Sequence, residues 1–187
     1  EAWQRNPVLV LEFYNKRRSQ LKSVTPNAAH LALAELEKDF KVSIVTQNVD
    51  NLHERAGSTN ILHLHGELTK VRSTKFPELI YHTEEDVNLG DVCEKGHQLR
   101  PHIVFFGEMV PMIEPAAEIV ATADILLIIG TSLQVYPATG LIEYAPKNAE
   151  IFLIDKNANE IHTYRKVHKI AATATEGMQK FKELIFV

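Results

Sequence analysis

Asp124-Ile125-Leu126-Leu127-Ile128-Ile129-Gly130 (DILLIIG) sets five aliphatic residues between an acid and a glycine, with no polar residue to mark a solvated face. A strand wetted on one side alternates apolar and polar residues, whereas one covered on both sides does not. Two more such runs follow, Glu150 to Ile154 (EIFLI) and His168 to Ala172, and Lys41 to Thr46 (KVSIVT) precedes them. Between them lie segments with helical character: Pro115 to Thr122, Thr139 to Ala145 and Glu176 to Ile185. Strands without alternation, separated by helices, predict an α/β fold with a parallel sheet and helices on both faces.

Upstream, Pro7 to Lys22 reads as a helix with Val10, Tyr14 and Leu21 on one stripe. Thr25 then supplies a cap and Pro26 a first turn for a helix reaching Phe40. The interval Glu67 to Gln98 is polar, has no clear period and contains Pro77, Gly90 and Gly96, so it is expected to be a small lobe inserted at 67–98 into a body formed by 1–66 and 99–187.

A chain of 187 residues is long enough for one substantial core. The net charge of -4 offers no electrostatic case for nucleic acid as a partner. Cys93 is the single cysteine, which rules out an intrachain disulfide and a cysteine-rich zinc site. No apolar run approaches the ~20 residues of a membrane span, so the expectation is a protein without a membrane partner, located in the cytoplasm.

In open parallel sheets, ligands bind beyond the carboxyl ends of the strands. After the first strand stand Gln47, Asn48, Asp50, Asn51 and His53, a polar cluster that either turns and caps a helix or lines a pocket. His63-Leu64-His65-Gly66 offers a histidine able to move a proton near neutral pH, or a structural one. Arg100 reads as an ion-pair partner, and Val104 to Glu108 either as a core strand and turn or as an exposed edge for an extended peptide. Gly130, Thr131 and Ser132 suit a phosphate or ribose. Asp155 ends the next strand, as a ribose ligand or a turn residue.

The order of Pro26-Asn27-Ala28-Ala29-His30, Thr46-Gln47-Asn48-Val49-Asp50, Leu52-His53 to Ala56-Gly57, His65-Gly66, Leu99-Arg100-Pro101-His102 through Phe106-Gly107-Glu108, and Gly130-Thr131-Ser132-Leu133 resembles the sirtuins over nearly the whole chain. The resemblance implies a Rossmann-like domain and an NAD-dependent protein-lysine deacylase that releases nicotinamide and O-acyl-ADP-ribose. It makes His65 the general base, with Asn48 and Asp50 beside it. It gives NAD contacts to Gln47, Asn48, Asp50, Gly130, Thr131, Ser132, Asp155 and Ala174, and the acyl-lysine wall to Val104, Phe105, Phe106, Gly107 and Glu108.

Tyr14-x-x-Arg17 matches the pair that reads the distal carboxylate of succinyl- or malonyl-lysine in the desuccinylase/demalonylase branch. Two departures stand out. The stretch from Ser73 to Phe76 falls where relatives carry a first cysteine pair, so zinc is not expected; and the family's glycine-rich Gly-Ala-Gly-x-Ser loop would precede residue 1. The alternatives are a catalytically silent NAD or ADP-ribose module, which need not keep His65 and Asn48, and an ADP-ribosyltransferase, which has no need of a peptide edge.

Overall fold

The computed structural model describes residues 2–130 and 138–186, so Thr131 and Ser132 lie outside the described residues. The chain opens with helices α1 (Ala2–Arg5), α2 (Pro7–Leu21) and α3 (Ala28–Leu36). Strand β1 (Ile44–Thr46), α4 (Leu52–Ala56) and β2 (Ile61–His63) follow, then β3 (Gly66–Ser73), β4 (Ile80–His82) and β5 (Leu99–Ile103). Helix α5 (Ile113–Val120) leads to β6 (Ile125–Ile129), a 3-10 segment Ala138–Tyr144, β7 (Glu150–Asp155), β8 (His168–Ala171) and α6 (Ala174–Ile185).

The unalternating runs have a simple cause. β7 is the middle strand of a parallel β6-β7-β8 sheet, and its successive side chains enter opposite cores. Phe152 and Ile154 pack with Ala29 and Leu36 of α3 and with Met178 and Phe181 of α6. Ile151 packs on the other side with Ala116 and Val120 of α5 and with Leu141 and Ile142. Leu153 and Ile154 are fully buried, each contributing about 1.5–3 kcal/mol of transfer free energy.

The parallel body is nevertheless divided. β1 and β2 pair with each other, and among the described residues no ladder joins β1 to β6. A cleft of ≈ 1190 Å³ runs between them, lined by Ile44 to Thr46 on one side and Ile125 to Gly130 on the other.

Local readings shift in two places. Asn27, rather than Thr25, caps α3, because its side-chain oxygen accepts the N–H groups of Ala29 and His30 while His30 closes a capping box. On α2 the buried stripe is Leu11, Asn15, Arg18 and Leu21 instead of Val10, Tyr14 and Leu21. The tertiary reason is polar: Asn15 exchanges two 3.0 Å bonds with the Val87 backbone, and Arg18 donates to Leu68 O at 2.9 Å and Glu85 O at 3.2 Å.

The interval 67–98 holds more order than its composition suggests. Most of β3 lies in it, and β3 forms an antiparallel β4-β3-β5 sheet that reaches back to Leu99–Ile103. At its far end, Ser73 Oγ accepts the N–H groups of Lys75 and Phe76 and the Cys93 thiol at 3.3 Å. Lys95 Nζ and the His97 ring lie 4.1 and 5.3 Å from the centre of the Phe76 ring. A hydroxyl, a phenyl ring and one thiol do not supply the four donors of a tetrahedral zinc.

Two contacts anchor the junction between this small sheet and the parallel body. Gly66 has φ +85°, and a Cβ there would lie 1.9 Å from His102 O. Beyond the end of β5, Arg100 holds Glu108 through bonds of 2.6 and 3.0 Å and donates to Ile103 O at 3.0 Å. Glu108 also accepts the Phe105 N–H at 2.9 Å, and Arg72 lies 3.5 Å away. Burial pushes the Glu108 carboxyl up, but the Arg100 and Phe105 hydrogen bonds and both guanidinium charges outweigh it, leaving it below the usual range.

Substituting Gly66→Ala combines a disfavoured φ with a backbone collision, so stability should fall by about 3 kcal/mol or more. A thermal midpoint within a degree of wild type would contradict this account. For Glu108→Gln the loss should be about 1–2 kcal/mol at neutral pH, between a buried charged hydrogen bond and a screened surface pair. Because the folded carboxyl titrates low, its contribution is complete above the unfolded glutamate pKa of about 4.3 and disappears as pH falls through the folded value. Urea melts of wild type and variant should therefore differ at pH 7 and converge in acid; a constant gap would refute the charge argument.

Candidate functional site

β1 ends at Thr46, and the next residues turn over the end of the parallel body. The Thr46 hydroxyl accepts the Asn48 N–H at 3.1 Å, and Val49 O accepts the Leu68 N–H at 2.7 Å. Asp50 Oδ1 accepts the Leu52 N–H at 3.1 Å, so the acid serves the turn into α4 with one oxygen. Gln47, Asn48 and His53 line the cleft between β1 and β6. Among the described residues, Asn51 Oδ1 and His53 Nδ1 are buried with no hydrogen-bond partner, a need that a bound ligand in this region would meet.

His65 stands where three segments meet. Its Nδ1 lies 3.1 Å from Gln47 O, and since a carbonyl only accepts, Nδ1 carries the proton. The neutral ring then presents Nε2 as its lone pair. The His65 carbonyl accepts the Val104 N–H at 2.9 Å, tying the histidine to the segment after β5. One residue thus links the loop after β1 with the segment at 104–108.

That segment is not a strand edge. β5 stops at Ile103, and Phe106 and Gly107 form a turn closed by Glu108 N–H to Phe105 O at 3.0 Å. Gly107 takes φ +88°, which ends extended pairing. Phe106 projects fully into solvent, while Phe105 is held from below by Arg100, whose guanidinium carbon lies 4.0 Å from the ring centre.

Tyr14 stacks on Phe105 with ring centres 5.7 Å apart and planes 28° from parallel. Burial raises the pKa of its phenol above the ordinary value, although Arg100 and Arg17 pull the other way. The group is therefore a hydrogen-bond donor throughout the physiological range. Arg17 is exposed, whereas Arg18 is buried and engaged with backbone carbonyls, so the two neighbours face different tasks.

Trp3, which the sequence did not single out, lies 6.5 Å from Phe105 and 5.8 Å from the Arg100 guanidinium. An aromatic in a four-residue helix carries no periodic signal that would mark it. The His30 and His53 rings, 4.7 Å apart, were also missed as a pair; burial first, and mutual charge for His53, lowers the pKa of each despite Asp50.

At the opposite wall Gly130 follows β6 with φ +63°, and its N–H donates to Ile154 O at 2.9 Å. Ala174 opens α6 and lines the same cleft. Asp155 Oδ1 accepts the Asn157 N–H at 2.8 Å, a turn contact that leaves the second oxygen for another partner. Open backbone at Gly130, amides at Gln47 and Asn48 and unpartnered buried atoms at Asn51 and His53 fit a dinucleotide.

Comparison with known proteins bears on the chain as a whole. Residues 1–137 match the model of the Sir2 family. A relative from Bacteroides thetaiotaomicron, named NAD-dependent protein deacylase, is 53% identical over 191 residues, covering 99% of this chain and 82% of the relative. A solved Sir2 homologue in complex with NAD superposes with a TM-score of 0.85 at 33% identity, covering 99% of this chain and 74% of its own. The solved structure of Sir2Tm bound to a propionylated peptide gives 0.80 at 26% identity, with 99% and 81% covered. A family match across most of the chain and a relative more than half identical along nearly all of it make this protein a member of the Sir2 family.

Proposed function

We propose that this protein removes acyl groups from lysine side chains of other proteins at the expense of NAD, and that it favours acyl groups ending in a carboxylate, succinyl and malonyl. The observation that carries the reading is the fixation of His65, with Nδ1 spent on Gln47 O and its carbonyl spent on Val104 N–H. A base at that crossing would serve both a nucleotide held by Gln47 and an acyl-lysine held beside Val104. NAD, when bound, supplies an activated ribose carbon with nicotinamide as its leaving group.

The protein's own part is binding, orientation and proton transfer. Gln47, Asn48 and Asp50 hold the nicotinamide-ribose end; Gly130, Thr131, Ser132, Asp155 and Ala174 take the adenosine side. His65 Nε2 accepts the proton of a ribose hydroxyl, which is general-base catalysis by a group whose tautomer is already set. Val104 to Glu108 flank the acyl-lysine, with Phe105 as an apolar wall that Arg100 and Tyr14 support on its two sides. The apolar face of Phe105 would help keep water from the ribose carbon that NAD supplies.

Acid selectivity rests on Tyr14 and Arg17. A guanidinium binds a carboxylate bidentately, and a phenol that stays protonated adds one more donor. Arg17, being exposed, is free to reach a ligand; Arg18 is committed to the fold.

Nicotinamide release by the full-length protein should depend on an acylated lysine peptide; release that ignores the peptide would sink the deacylase reading. His65→Ala should lower turnover by at least about 100-fold while NAD binding and the thermal midpoint stay close to wild type. Unfolding of that variant would instead make the histidine structural. Arg17→Met should depress kcat/KM for succinyl-lysine by tenfold or more relative to acetyl-lysine, and an unchanged ratio would remove the clamp.

A further inference from the structure

Two residues before His65, a second histidine occupies an environment that the proposed deacylation does not use. His63 ends β2, and only 7% of its side chain is exposed. Its Nδ1 lies 3.3 Å from Asn48 O, a pure acceptor, so Nδ1 carries the proton. Its Nε2 lies 2.7 Å from Glu54 Oε1. In the neutral ring these are two acceptors face to face, an arrangement that repels unless a proton bridges them or they part to admit a metal ion.

A third donor completes the set. Ligand atoms of Glu54, His63 and Glu67 lie within 4.8 Å of one another. Glu54 comes from α4, His63 from β2 and Glu67 from β3, so tertiary packing alone assembles the group. Lys70 Nζ occupies Glu67 Oε1 at 2.6 Å, leaving the other carboxylate oxygen. A proton on Nε2 would satisfy Glu54 only; a divalent ion would satisfy all three groups.

We propose that Glu54, His63 and Glu67 form a binding site for a divalent transition metal of the zinc class. One imidazole and two carboxylates with positions left for water are an ordinary donor set for such an ion. Bonds of about 2.0–2.2 Å set neighbouring ligand atoms roughly 3.5 Å apart, so the Nε2–Oε1 pair must open from 2.7 Å while the Glu67 carboxylate closes from within 4.8 Å. Glu54, the exposed member, supplies that movement. The Nδ1–H to Asn48 O bond is the outer contact that orients a metal-bound histidine. The site lies apart from Ser73 and Cys93, and it does not rest on the deacylase reading.

Zinc and manganese titrations of the chelator-treated full-length protein test the site, with competition against a chromophoric chelator. Wild type should take up one Zn²⁺ per chain. His63→Gln and Glu67→Gln should each weaken uptake tenfold or more, with urea midpoints near wild type. X-ray absorption of the loaded protein should show nitrogen and oxygen neighbours. No uptake by wild type, unchanged affinity in both variants, or sulfur in the metal's shell would overturn the proposal. Should His63→Gln fail to fold, Glu67→Gln alone decides it, since its ordinary partner is the solvent-accessible Lys70.

Discussion

The architecture turns on how closely the backbone of β3 approaches β5 at Gly66. No side chain fits there: a Cβ would meet His102 O at 1.9 Å, and φ is +85°. The bend it permits brings His65 from the end of β2 into line with both the loop after β1 and the segment after β5. Two hydrogen bonds then hold the histidine in place, one through its ring and one through its carbonyl. Had the strands been separated by one side chain's width, His65 could not bond Gln47 and Val104 together. A backbone constraint therefore sets the tautomer and reach of the proposed base.

Buried polar groups give the small sheet its definite position. Asn15 and Arg18 dock α2 through backbone groups of Leu68, Glu85 and Val87. Arg100 does the same for the turn at Glu108, and the stacking of Arg100, Phe105 and Tyr14 carries that order to the surface. Such groups add modest net stability but penalise every arrangement that leaves them unpaired. This is how a lobe built on one thiol, one hydroxyl and a cation over a ring keeps its geometry.

Much of this was legible in the residues. DILLIIG and EIFLI imply strands covered on both faces, and the alternating helices imply parallel pairing, because those inferences rest on local burial patterns. The polar cluster after β1, the His63-Leu64-His65-Gly66 element and the glycine after β6 were each visible as places for chemistry. Less legible were features that depend on distant partners. Arg17 and Arg18 share one face of α2 by helical geometry, but only the carbonyls of Leu68 and Glu85 decide which of them is buried. Trp3 joins the Phe105 wall through a contact 102 residues away in sequence, which no window along the chain can reveal.

The sequence by itself determined the covered strands β6, β7 and β8, the helices α2, α3, α5 and α6 and the parallel body they form, and it marked the residues whose chemistry suits acid-base and nucleotide roles. These follow from side-chain period, backbone restriction and functional-group identity, all local properties. Tertiary structure alone decided that 104–108 turns instead of extending. It also decided that Glu54, His63 and Glu67 converge. Those outcomes depend on distances between elements far apart in the chain, and such distances are set only when the whole core and its buried hydrogen bonds are satisfied together.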